Sequence, residues 1–110
     1  MRKAIVKYGE KQAGLIYEDD EGIHFIYDEG YATDATNPPI SKALPLEITR
    51  YESKTLFPFF DGLIPEGWLL DIAESNWKLD RRDRMGLLLA CCKDCIGAVS
   101  IHPIIDTTHD

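Results

Sequence analysis

The sequence predicts an α+β domain: a small antiparallel sheet containing a β-hairpin, packed by two helices in the C-terminal half. Three observations predict it. Short β-prone runs separated by polar, Gly-containing connections fill the first third; apolar residues after position 65 recur at helical spacing; a last β-prone run, Ala98-Val99-Ser100-Ile101-His102, follows. With 110 residues, 45% of them hydrophobic and 28% charged, the composition suits one globular domain rather than a disordered or membrane chain. Residues 1–105 are expected to form it, with 106–110 as a flexible tail.

Residues 3–8 make a first strand, broken by Gly9-Glu10-Lys11. Residues 14–17 and 23–27 make the next two. Between them the polar connection Glu18-Asp19-Asp20-Glu21-Gly22 ends in a glycine able to take positive φ, which marks a hairpin. Residues 30–39 form a loop, since Asn37-Pro38-Pro39 forbids helix there. Over 44–51, Leu46 and Ile48 alternate with Glu47, Thr49 and Tyr51, the pattern of an edge strand beginning beside Pro45. Pro65 followed by Glu66 is a helix start. From there to about Trp77, residues Leu69, Ile72, Ala73 and Trp77 form one apolar stripe. Asp80 and Asp83 frame a second helix start, the cap side chain accepting orphan N–H bonds. Residues 85–92 are apolar enough for that helix to be mostly buried, and Gly86 inside it costs about 1 kcal/mol relative to Ala, tolerated for close packing. Residues 98–102 form a closing strand stopped by Pro103.

The most unusual stretch is Leu56-Phe57-Pro58-Phe59-Phe60-Asp61-Gly62-Leu63-Ile64-Pro65-Glu66-Gly67-Trp68. Three Phe, two Pro and two Gly in so short a run fit neither hydrophobic period, which leaves a structured apolar segment turning at Asp61-Gly62. On a helical wheel started at Pro65, the stripe centres near about 70° and Trp68 falls about 130° away, flanked by Asp71 and Ser75. An indole on a polar face is the kind of residue that anchors an interface. The alternative is that Trp68 packs under Phe59 or Phe60 and anchors the preceding loop.

Charge and chemistry exclude several function classes. A net charge of −7, from 19 acidic and 12 basic residues, repels a phosphate backbone, so no direct nucleic-acid binding is expected. An acidic surface suits a basic protein partner, and equally keeps a small domain soluble. No apolar run approaches the roughly 20 residues a bilayer needs and the Met1-Arg2-Lys3 start lacks a signal-peptide core, so a cytoplasmic protein without membrane contact is expected. Cys92-Lys93-Asp94-Cys95 matches C-x-x-C, but no second ligand pair accompanies it; Cys91, Cys92 and Cys95 are expected as reduced structural thiols, with no metal and no cofactor. His24 and His102 lie in strands, where a hydrogen-bonded structural histidine is expected. Asp61, Glu66 and Asp71 sit where caps are expected. No catalytic motif emerges, so the expectation is a protein that is not an enzyme.

The phrases F-F-D-G-L-I-P-E-G over 59–67 and K-D-C-I-G-A-V-S-I-H-P over 93–103, with a helical pair between, resemble the N-terminal subdomain of HipA-like Ser/Thr kinase toxins. The opening strands fit as well, so the resemblance covers essentially the whole chain. None of the phosphoryl-transfer parts of those kinases stands in this sequence. A free-standing copy is similar to the HipS antitoxins of tripartite HipBST systems. The resemblance then implies an antitoxin that neutralises a HipT-like kinase, in a ternary complex with a HipB-like helix-turn-helix protein. The alternative is a scaffold or activating subunit linking the kinase to that DNA-binding protein. The residues expected at the partner contact are Phe59, Phe60, Asp61, Leu63, Ile64, Pro65, Glu66, Trp68 and Asp71, with Trp68 projecting toward the kinase cleft.

Overall fold

The fold grows from two tight turns that set three strands side by side. The computed structural model describes residues 2–64, 82–92 and 98–104. Strands β1 (Arg2–Tyr8) and β2 (Lys11–Asp19) are joined by Gly9-Glu10, with Tyr8 opposite Lys11. Gly9 has φ 63° and Glu10 a negative φ. Positive φ at the first of two loop residues lets the turn follow the right-handed twist of its strands. The next turn, Asp20-Glu21, leads into β3 (Gly22–Tyr27), with Asp19 opposite Gly22. There the Asp19 carboxylate accepts a 2.9 Å bond from the Glu21 N–H, a turn that aspartate stabilises with its own side chain. The hairpin expected between the second and third strands is therefore present.

Two edge strands complete an antiparallel sheet in the order β4-β3-β2-β1-β5: β4 (Arg50–Ser53) pairs with β3 and β5 (Val99–Pro103) with β1. Side chains alternate across it as strand geometry requires. Ala4, Val6, Ile16, Phe25 and Ile101 point to one face and are fully buried. The alternation slips once. Val6 pairs with Gly14 but Lys7 with Gln12, so Ala13 is an extra, bulged residue, and consecutive Ala13 and Gly14 are both buried. The Ala13 carbonyl, left out of the ladder with β1, accepts from Asp28 N–H at 2.8 Å.

Among the described residues three helices pack the buried face: α1 (Glu29–Ala32), α2 (Pro58–Asp61) and α3 (Arg84–Cys91). The core centres on Phe25, whose ring meets Tyr27 edge-on at 4.8 Å and Phe60 at 5.4 Å; α3 adds Met85, Leu87 and Leu88, none more than 2% exposed. Capping of α3 follows expectation, with the Asp83 side chain accepting from Gly86 N–H at 3.1 Å. The opposite sheet face, with Ile5, Leu15, Tyr17, His24 and Ile26, stays outside the core cluster.

Several boundaries differ from expectation. β2 is longer than 14–17, because the bulge lets pairing continue to the Gly9 turn. The loop expected at 30–39 is entered through α1, whose Tyr31 is buried and hydrogen-bonded to the Pro38 carbonyl at 2.6 Å. The strand expected at 44–51 is confined to β4; residues 44–47 turn instead, with Leu44 buried and Ile48 53% exposed. Prolines remove N–H donors from this region, and tyrosine hydroxyls take its carbonyls: Tyr27 donates to Leu44 O, Tyr51 to Pro45 O at 2.7 Å. β5 includes Pro103, opposite Ala4, because an edge strand can present a missing N–H outward without breaking the ladder. The helix expected from Pro65 and the tail at 106–110 lie outside the described residues.

Candidate docking surface

The run after β4 resolves into inward and outward side chains. Pro58 starts α2, where its fixed φ suits the first turn and its missing N–H has no intrahelical partner to lose. Helical spacing then sends Phe57, Phe60 and Ile64 into the core, at 8%, 0% and 8% exposure. Phe60 packs against Phe57 at 6.1 Å and Phe59 at 5.2 Å between ring centroids. Pro58 and Gly62 are exposed, and Phe59, Asp61 and Leu63 half-buried. These five positions keep exposed area on the α2 segment, which packs beside α3.

Hydrogen bonds among the described residues tie that surface to α3 and its C-cap. Arg84 Nε donates to Asp61 Oδ1 at 2.6 Å, and the Cys92 thiol donates to the Leu63 carbonyl at 3.3 Å. Cys92 is fully buried, as expected of a structural thiol; the Cys91 and Cys95 side chains lie outside the described residues. Of the expected contact residues, Phe59, Asp61 and Leu63 keep surface available to a partner. Phe60 and Ile64 are buried in the core, where the interior covers their apolar area. Pro65, Glu66, Trp68 and Asp71 lie outside the described residues.

An ionic node joins the sheet to the start of α3. The Arg2 guanidinium forks onto Asp83, with Nη1 to Oδ2 at 2.7 Å and Nη2 to Oδ1 at 2.9 Å, and also reaches Glu18 Oε1 from Nη2 at 2.6 Å. The Asp83 hydrogen bond is the main reason the Arg2 pKa rises above its usual value. Arg2 in turn is the main reason the Asp83 carboxyl is held below the usual carboxylate range. One group thus ties β1, β2 and the start of α3 together. It also explains Gly86: a Cβ there would lie 2.5 Å from Asp83 Oδ2 and 3.1 Å from Arg2 Nη1. Nothing local in the sequence pairs Arg2 with Asp83; the only trace is a glycine inside an otherwise good helix.

The described residues include His24, His102 and Cys92. None of the described residues form a group of three or more His, Cys, Asp and Glu placed to hold a metal. His24 is hydrogen-bonded to Asp19 at 2.9 Å and His102 to Ser100 at 2.8 Å, as structural histidines would be. No helix among the described residues is long and apolar enough to cross a membrane.

The chain is similar to known proteins over nearly its whole length. The family model of the HipA N-terminal domain matches residues 4–102. An uncharacterized protein of Haemophilus influenzae (strain ATCC 51907 / DSM 11121 / KW20 / Rd) is 38% identical over 94 residues, covering 86% of this chain and 84% of that protein. A solved structure of the N-terminal domain of HipA toxin superposes with a TM-score of 0.74 at 29% identity, over 97% of this chain and 96% of that one.

Proposed function

The chain belongs to the HipA N-terminal domain family, and from that premise we propose that it is a HipS-like antitoxin, which binds and neutralises a HipT-like Ser/Thr kinase toxin in the cytoplasm. The observation that carries the reading is the match of nearly the whole chain to a domain named for a toxin. A domain of this family would dock beside the kinase N-lobe, using Phe59, Leu63 and the exposed turn of α2 as the apolar centre and Asp61 with Arg84 as a polar rim. This is the common layout of an interface, with apolar anchors inside and charge at the edge. Trp68, four residues beyond Ile64, would extend the contact toward the kinase cleft and obstruct its closure. The domain acts by occupying space, not by chemistry of its own, and a HipB-like helix-turn-helix protein would complete a ternary complex.

Co-expression with a HipT-like kinase tests the reading. Growth should recover, the two proteins should co-purify, and kinase autophosphorylation should fall. Trp68→Ala, with the fold checked by circular dichroism, should weaken binding by about tenfold or more, the scale of an interface anchor. Binding without recovery of growth would instead establish a scaffold or activating subunit. An unchanged affinity for Trp68→Ala would remove that residue from the contact.

A further inference from the structure

The sheet face opposite the core carries a groove of about 410 Å³ at the β3–β4 side. Register places its groups: Tyr17 is opposite His24 and His24 opposite Glu52, so the three side chains stand in one row on one face. Ile26, opposite Leu15 in the next row, contributes apolar lining. The Tyr17 and His24 rings stack at 4.7 Å with an interplanar angle of 12°, making a preformed aromatic wall. Three carboxylates line the groove. Asp19 is held against His24 Nε2 at 2.9 Å, which keeps its carboxyl below the usual range. Glu52 lies 3.6 Å from His24 Nδ1 with its side chain 76% exposed, and Glu21 stands exposed at the hairpin turn. Arg50 is the only Lys or Arg among the lining residues.

We propose that this groove takes an arginine side chain from a basic segment of a second protein, so that the domain carries one partner beside α2 and another on its open sheet face. Charge complementarity selects the occupant, with three carboxylates against one guanidinium on a chain of net charge −7. The aromatic wall selects arginine over lysine, because a planar guanidinium stacks on a ring while donating to carboxylates at its edge. The site is separate from the α2 surface and does not rest on the kinase reading.

A fluorescein-labelled, blocked peptide of alternating arginine and serine tests the groove by anisotropy, with the intact chain, at low and at physiological salt. Glu21→Gln with Glu52→Gln should weaken binding about fivefold. The control pair Glu10→Gln with Glu29→Gln changes net charge equally at exposed sites away from the groove, and should change binding less than about twofold. The matching lysine peptide should bind about threefold more weakly. Equal weakening by the two double variants, or no binding by the parent chain even at low salt, would overturn the proposal. Loss of kinase binding with peptide binding intact would refute the antitoxin reading alone.

Discussion

Phe60→Ala separates the two roles combined in the aromatic run. The ring is fully buried and sits against Phe25, Phe57 and Phe59 at centroid distances of 5.4, 6.1 and 5.2 Å. Truncating a buried Phe to Ala costs about 3–5 kcal/mol, the transfer free energy of the lost atoms plus the cavity they leave. A domain of this length has roughly 5–15 kcal/mol in total, so the variant should fold but stand close to its limit. At about 4 °C per kcal/mol, the melting midpoint should fall by about 12–20 °C. Urea unfolding followed by circular dichroism should show the midpoint lowered with the slope unchanged. Phe59→Ala is the paired measurement. Its ring is only partly buried, so its stability loss should be smaller, about 1–2 kcal/mol, while affinity for the kinase falls. A loss below about 1 kcal/mol for Phe60→Ala, or equal losses for the two variants, would refute the division into a core ring and a surface ring.

Gly86→Ala should destabilise slightly despite gaining about 1 kcal/mol of helix propensity. Its Cβ displaces the Asp83 cap, worth about 1 kcal/mol, and the partly exposed Arg2 pair, worth about 0.2–1 kcal/mol. In an Asp83→Ala background that conflict is gone, and chemical denaturation should show the same substitution stabilising. Acid titration checks the node from another side. The folded Asp83 pKa lies below its unfolded value, so its stabilisation is present above the unfolded pKa and lost as pH falls through the folded one. Asp83→Asn should therefore be less stable than the parent near neutrality, with the difference shrinking under acid. At alkaline pH the sign reverses. Burial pushes the Tyr27 hydroxyl up to about 12, so its contribution is complete below the unfolded value near 10 and is lost as pH rises through about 12. Tyr27→Phe should flatten that part of the alkaline unfolding curve.

Much of the architecture was legible in local sequence. The first and third strands, the hairpin at Glu18-Asp19-Asp20-Glu21-Gly22, the Asp83 cap and the burial of the apolar run in α3 follow from composition, turn and capping rules that act within a few residues. The resemblance carried by residues 59–67 and 93–103 likewise pointed to the family. Tertiary structure decided the rest. Ala13 could be seen as a bulge only once β1 was registered against β2. Residues 44–47 turn where a strand was expected, with hydroxyls from Tyr27 and Tyr51 bound to the Leu44 and Pro45 carbonyls. Phe59 and Phe60 are the same residue type side by side, yet one is only partly buried at the edge of the core and the other is fully buried within it. Arg2 and Asp83 are 81 positions apart and meet only after the sheet has formed and α3 has packed on it. Periodicity encodes which face of an element is apolar, whereas partners across the fold depend on how those faces are brought together.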